Sequence, residues 1–137
     1  MALNGRDRAL LRVIAPLALM GLIFYFSAQS AAEHHAWWVL IFRKLGHVTG
    51  YALLTALWAW ALQGVVERPL VWAISISLVY ACTDEFHQSF VDGRNGTPVD
   101  VGVDAIGMAI AALAIRWRRM SIRARPAGVS RRTLKGA

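Results

Sequence analysis

The chain has 137 residues, which suits a single domain, and 57% of them are hydrophobic, with a mean hydropathy of +0.45. This composition is rich in apolar residues for a soluble domain of that size. The net charge is +7, but eight basic residues lie between Arg116 and Lys135, beyond the last apolar segment, and this placement argues against a nucleic-acid partner. The single cysteine, Cys82, cannot form an internal disulfide, and we expect it to be a small buried hydrophobe.

The first apolar segment runs from Val13 to Ala28, after a polar and basic N-terminal stretch. It predicts a transmembrane helix, extendable to Leu10, because further apolar segments follow. The alternative is a signal peptide with its cleavage site among the small residues 27–31. Residues 31–43 are amphipathic, and we expect an interfacial helix there. Its polar and aromatic members include Glu33, His34, His35, Trp37 and Trp38.

The second and third apolar segments are joined by a tight polar turn at residues 67–69. The second segment runs from Leu45 to Val66. The third, from Pro69 to Cys82, has only 14 residues. That is about 21 Å of helix against roughly 30 Å of hydrocarbon, so we expect the helix to continue to about Phe90. This extension places four polar side chains at or inside the outer edge of the membrane: Asp84, Glu85, His87 and Gln88.

A turn and a capped helix start precede the fourth apolar segment. Residues 92–96 contain two glycines and an Asn-Gly pair, which is typical of a turn. Thr97 as the N-cap, Pro98 at the first helical position and Asp100 at the third predict a helix start. The fourth apolar segment then runs from Val99 to Trp117.

The four segments predict an all-α integral membrane bundle of four transmembrane helices over residues 1–117, followed by a basic, disordered cytoplasmic tail at 118–137. Gly107 and Ala111 give the fourth helix a small-residue face for close packing. Four spans place both termini on one side, with three basic residues of the N-terminal flank, Arg68 and the eight basic residues from Arg116 to Lys135. The opposite side carries three: Arg43, Lys44 and Arg94. The positive-inside rule therefore makes both termini cytoplasmic.

Helical spacing places the polar residues of the second, third and fourth helices on coherent faces. Positions i, i+3 and i+7 in the second helix, and i and i+4 in the other two, align along the helix axis. Glu85 alone points about 100° away from Asp84. These residues lie at one depth, and with the turn arginine they form the predicted binding site, here called the polar cluster. Its members are Lys44, His47, Tyr51, Asp84, Glu85, Gln88, Arg94, Asp100 and Asp104.

The charges of the polar cluster do not balance. Lys44 and Arg94 face four carboxylates, which leaves a deficit of two positive charges at a depth where charge is costly. Protonated carboxylates, an imidazolium or a divalent cation would cover the deficit. The spacing matches no strong zinc or calcium pattern, and we predict no dedicated metal or cofactor. A cation would draw its ligands from His47, Asp84, Glu85, His87 and Asp100.

Each role also has a structural alternative. Asp100 serves equally well as a helix-capping carboxylate. Asp84 with Lys44 or Arg94 would form an ion pair that holds the loops together. A general acid–base pair of a histidine with Asp84 has the right residue types but no visible nucleophile. Whether a reaction is catalysed stays open, and the candidates for it are His47, Asp84 and Glu85.

Four short motifs together resemble those of the VanZ-like family of small bacterial integral membrane proteins. They cover most of the chain up to Arg116 and are specific only in combination. They are Ser27-x-Gln29, Lys44-x-x-His47-x-x-x-Tyr51, Asp84-Glu85-x-x-Gln88 followed by Phe90 and Gly93-Arg94, and Asp100 with Asp104 and Gly107. The resemblance implies a multi-pass protein of the bacterial cytoplasmic membrane. The family is named for a member that lowers susceptibility to teicoplanin.

We therefore expect a cell-envelope protein that binds or modifies envelope lipids or lipid-linked precursors and affects susceptibility to teicoplanin-type glycopeptides. Lys44, Arg94 and the helix start near Thr97 would hold an anionic phosphate headgroup. The carboxylates and His47 would orient it or act as acid and base. The alternatives are an ion- or proton-coupled transport component, and a structural membrane protein whose polar cluster is only an ion-pair staple. The expected partners are the lipid bilayer and this ligand, and the oligomeric state stays open.

Overall fold

The computed structural model describes residues 5–30, 37–94 and 96–123, with side chains from residue 11 onward. Over these ranges the chain forms helices and no strand, which confirms the all-α prediction. The helices are α1 (Gly5–Ser27), α2 (Trp37–Ala61), α3 (Pro69–Gln88) and α4 (Pro98–Arg123). The predictions for Glu33, His34, His35 and the tail beyond Arg123 concern positions outside the described residues.

Local sequence signals set the starts of α3 and α4. α3 begins with Pro69 at its first position, where the first turn needs no backbone N–H. At α4, the Thr97 hydroxyl donates to Asp100 Oδ2 at 2.7 Å and accepts from the Asp100 backbone N–H at 3.3 Å. The bond from the Asp100 N–H makes Thr97 the N-cap of α4 and confirms the predicted helix start.

The bounds of α2 differ from the prediction at both ends. Residues 37–43 form the first turns of α2 instead of a separate interfacial helix, because no glycine or proline separates them from Lys44. The helix ends at Ala61 and not at Val66. Gly64, with a φ of 77°, turns the chain there, and this left-handed conformation favours glycine.

Two further expectations are corrected on α3 and α4. α4 continues through residues 118–123, which were expected in the tail, because its arginines favour helix. Cys82 is exposed and not buried. It lies between the inward-facing Ala81 and Asp84, which are both buried, on the part of α3 that faces away from the bundle.

The order of the contacts fixes the directions of the helices. Residues later in α2 contact residues later in α4, since Lys44 contacts Asp100 and His47 contacts Asp104. The same order holds between α1 and α3. Each of these two helix pairs therefore runs parallel. Successive helices run antiparallel. One end of the bundle therefore gathers the C-termini of α1 and α3 and the N-termini of α2 and α4, and we call it the polar end. Gly5 and Arg123 lie at the opposite end.

The interior of the bundle is built largely from small and polar residues. A Cβ on Gly107 would lie 2.1 Å from the Val48 carbonyl oxygen, so α2 and α4 approach each other at backbone contact. The Thr55 hydroxyl donates to Ser77 Oγ at 3.1 Å inside the bundle. Large aliphatic and aromatic side chains lie exposed on all four helices. Within the described residues, one helix, Pro98–Arg123, is long and apolar enough to cross a membrane by its length and composition.

Candidate functional site

Two parallel pairs of side chains join α2 to α4 at the polar end. Lys44 Nζ donates to Asp100 Oδ1 at 2.6 Å, and this pair is partly exposed. His47 Nδ1 lies 3.0 Å from Asp104 Oδ1, and Asp104 is fully buried. The predicted spacings, i to i+3 on α2 and i to i+4 on α4, bring these partners to matching heights. One helical turn toward the bundle interior therefore replaces a partly exposed lysine–aspartate ion pair with a more deeply buried histidine–aspartate pair.

A second set of hydrogen bonds joins α3 to α1. Ser27 Oγ donates to Asp84 Oδ2 at 2.8 Å. The Gln88 side-chain nitrogen lies 3.0 Å from the same Asp84 oxygen and 3.2 Å from Glu85 Oε1. Asp84, Glu85 and Gln88 are all buried. One amide thus bridges two carboxylates that point in different directions around α3, as the helical rotation predicts.

Arg94 holds the end of α1 and does not contact a carboxylate. Its Nη2 donates to the Phe26 carbonyl at 2.7 Å, its Nε to the Gln29 carbonyl at 3.0 Å, and its Nη1 to Gln88 Oε1 at 3.0 Å. A cation at these carbonyls also complements the negative end of the helix dipole. Partial burial and the charge of Arg43 lower the pKa of the Arg94 guanidinium, which still stays charged at neutral pH.

The ion pair predicted between Asp84 and either Lys44 or Arg94 does not occur. Lys44 bonds to Asp100 instead, and Arg94 reaches the acidic residues only through Gln88. In the part of the chain that the structure describes, no lysine or arginine forms a salt bridge with Asp84, Glu85 or Asp104. These three carboxylates therefore lie near the imidazole of His47 and pair with no lysine or arginine of the described residues.

Each of these three carboxyl groups has one buried oxygen without a hydrogen-bond partner among the described residues: Asp84 Oδ1, Glu85 Oε2 and Asp104 Oδ2. Ligand atoms of His47, Glu85 and Asp104 lie within 4.8 Å of one another. Buried acceptors of this kind are costly unless a donor or a cation meets them. The arrangement can therefore exchange protons or hold a positive charge.

Two other polar residues of the sequence prediction take different places. Tyr51 is fully buried, with its ring stacked on His47 at a centroid distance of 6.2 Å, and its hydroxyl has no partner among the described residues. His87 packs against Phe24 of α1, with ring centroids 4.5 Å apart. His87 Nε2 likewise finds no partner within the described ranges. The ring of His87 thus packs against α1, and the group of possible metal ligands in the described residues contains His47, Glu85 and Asp104 but not His87.

Sequence reasoning left two residues out of the site. Ser27 supplies a hydrogen bond to Asp84, and its signal was present, since it is the one polar residue in the first apolar segment. Arg43 lines the site beside Lys44, and it forms no ion pair with the described residues. The sequence indicated Arg43 less clearly, because the basic pair Arg43-Lys44 also suits an interface with water or lipid headgroups.

The polar end contains two adjoining cavities. The first, here called the polar pocket, has a volume of about 210 Å³ and is lined by most of the polar cluster. The second, here called the apolar groove, has a volume of about 480 Å³, and Ile23, Phe26, Trp38, Val39 and Phe42 contribute its apolar lining. Both cavities share three wall residues: Arg43, His47 and Arg94. A cavity with charged lining and a cavity with apolar lining thus lie side by side.

The fold and the site together define a small α-helical protein with a carboxylate-rich interior at one end. Residues 12–119 match the family model described as VanZ/LLP1. This match covers most of the chain, so the protein belongs to the VanZ/LLP1 family, and the resemblance carried by the sequence motifs is confirmed. No curated protein and no solved structure matches the chain.

Proposed function

We propose that this protein is a multi-pass protein of the bacterial cytoplasmic membrane that holds an anionic amphiphile at an outward-facing polar end. The ligand class is an envelope lipid or a lipid-linked precursor. Binding or modifying it would alter susceptibility to teicoplanin-type glycopeptides. One observation carries the proposal: the polar pocket and the apolar groove share the wall formed by Arg43, His47 and Arg94.

The distribution of side chains supports four membrane spans. Lipid tails give apolar side chains no reason to turn inward, so membrane bundles pack through small residues and bury polar ones. This bundle buries Ala73, Ser77 and Gly107 and exposes large apolar residues on every helix. The helices have 20 to 26 residues, which is about 30–39 Å at 1.5 Å per residue, enough for the hydrocarbon core.

The positive-inside rule supports cytoplasmic termini. Arg68 and the basic residues at the end of α4 lie at the end of the bundle away from the site. Among the described residues, the lysines and arginines at the site end are Arg43, Lys44 and Arg94. Short segments rich in lysine and arginine stay in the cytoplasm, so the polar pocket would face outward.

Arg43 is the cation best placed to receive a phosphate headgroup. Lys44 is already paired with Asp100, and Arg94 is engaged by two carbonyls and an amide. Arg43 forms no ion pair with the described residues, and it lines both cavities. A guanidinium there can bind phosphate through two parallel hydrogen bonds while an acyl or isoprenoid tail fills the apolar groove.

Lipid retention by purified protein tests the proposal. The full chain is extracted in mild detergent, and bound lipid phosphorus is measured per protein with mass spectrometry of the extract. We expect the wild type to retain lipid and Arg43→Gln to lose most of it. Arg68→Gln removes the same charge at the opposite end and should change nothing. Equal retention by the two variants would refute the proposed headgroup site.

A second candidate, ion- or proton-coupled transport, rests on a separate observation, the three interior carboxylates with unpartnered oxygens. A purely structural cluster is the remaining alternative. Asp84→Asn keeps the shape of the side chain and distinguishes the transport role from the purely structural role. If folded abundance in the membrane falls as steeply as lipid retention or glycopeptide tolerance does, the role of the cluster is purely structural. If abundance holds while proton flux into vesicles is lost, the transport candidate takes precedence.

A further inference from the structure

Three helices direct one histidine and two carboxylates into the floor of the polar pocket. Ligand atoms of His47, Glu85 and Asp104 lie within 4.8 Å of one another, and all three residues line the pocket. Glu85 is 5% exposed and Asp104 is 0% exposed. Each of these two carboxylates keeps one buried oxygen without a hydrogen-bond partner among the described residues. The site therefore has possible metal-ligand atoms close together and buried carboxylate oxygens without hydrogen-bond partners among the described residues.

The surrounding charges do not stabilise these two carboxylates. No lysine or arginine of the described chain forms a salt bridge with either, and the neighbouring Asp84 adds a third acid. A protonated His47 would balance one negative charge. A proton shared between Glu85 and Asp104 would remove another but would leave the remaining lone pairs unsatisfied. A divalent cation balances both carboxylates at once and uses their unpartnered oxygens as ligands.

We propose that His47, Glu85 and Asp104 bind a divalent transition-metal ion of the Zn²⁺ or Mn²⁺ class. An imidazole with two carboxylates is a mixed nitrogen and oxygen donor set, whereas Mg²⁺ and Ca²⁺ prefer oxygen ligands throughout. Metal–ligand bonds of about 2.0–2.2 Å need ligand atoms roughly 3.3 Å apart. The side chains must close by about 1.5 Å from the present limit of 4.8 Å, which rotamer adjustment at a cavity wall allows.

Three protein ligands leave a coordination position that faces the polar pocket. Structural zinc sites are closed by four protein ligands, whereas reactive sites keep one position for water or substrate. An anionic headgroup would complete the coordination there, and this extension alone rests on the function proposed above. The cation site itself depends only on the three side chains and on the charge that they carry.

Metal retention by the full chain tests the site. Detergent-purified protein is stripped with a chelator, desalted, incubated separately with ZnCl₂, MnCl₂, MgCl₂ or CaCl₂, and desalted again before elemental analysis. We expect about one equivalent of Zn²⁺ or Mn²⁺ to stay bound and at least tenfold less Mg²⁺ or Ca²⁺. Glu85→Gln and His47→Asn should each lower retention at least tenfold. The controls Glu67→Gln and His87→Asn change the same residue types outside the triad and should retain the wild-type amount.

Folding is checked on the same samples by circular dichroism and gel filtration. Glu85→Gln preserves the shape of the side chain and removes a buried charge, so it should stay folded and informative. The proposal is overturned if the wild type retains no metal, if Mg²⁺ or Ca²⁺ is held as tightly, or if the triad variants match their controls. Lipid phosphorus measured in parallel separates the two proposals, since metal binding without bound lipid would refute only the proposed function.

Discussion

Replacing Gly107 with alanine is the sharpest test of the packing that builds the site. The added Cβ would lie 2.1 Å from the Val48 carbonyl oxygen and 3.1 Å from the Ala52 backbone nitrogen. An ordinary carbon–oxygen contact is about 3.3 Å or longer, so α2 and α4 must separate by roughly 1 Å. Both obstacles are backbone atoms, which cannot rotate away. Overpacking of this kind costs about 1–3 kcal/mol.

Gly102→Ala on the same helix is the matched control. No atom lies within 4 Å of the Cβ that it would add, so it should be neutral or gain up to about 1 kcal/mol of helix propensity. The two variants should therefore differ by about 1–4 kcal/mol in unfolding free energy, with roughly 3–5 °C in Tm for each kcal/mol in a chain of this length. Thermal unfolding in detergent, followed by circular dichroism, measures the difference. Equal Tm values would refute the close α2–α4 approach.

Three further changes test individual contacts by equilibrium unfolding in mixed micelles. Ser27→Ala removes a buried donor from Asp84 and should cost about 1–3 kcal/mol, so a loss near zero would exclude that hydrogen bond. A double-mutant cycle on Lys44 and Asp100 should give a coupling below about 1 kcal/mol because Lys44 is 55% exposed, and a larger value would mean a drier pair. Thr97→Ala should cost about 1 kcal/mol through the lost N-cap, and an unchanged stability would contradict the cap.

The fold was largely predictable because its signals are local. The proline at the start of α3 and the Thr97 cap of α4 depend only on neighbouring residues, and both lie where the sequence placed them. The start of α2 was missed because paired tryptophans beside basic residues suit an interface as well as a helix. The end of α4 was missed because a basic composition predicts solvation and says little about whether the backbone stays helical.

The site was predictable in its membership and not in its pairing. Helical spacing determines which residues share a face, so the sequence could group Lys44, His47 and Tyr51 on α2 and group Asp100 with Asp104 on α4. Spacing says nothing about the rotation and height of one helix against another. The rotation and height of the helices depend on close approaches such as the one at Gly107. In this packing the side chain that reaches Asp84 is Ser27 and not a lysine or arginine.

Gln88 explains how cations and buried acids share one end of the bundle without forming ion pairs. Its amide nitrogen faces Asp84 and Glu85, while its carbonyl oxygen accepts from Arg94. The neighbours on both sides therefore fix the orientation of the amide. A direct bond from Arg94 to Glu85 would neutralise the carboxylate of Glu85, which lies close to His47 and Asp104. By taking that place, Gln88 bonds to Glu85 Oε1, leaves Glu85 Oε2 available to a ligand in the polar pocket and lets Arg94 hold the end of α1.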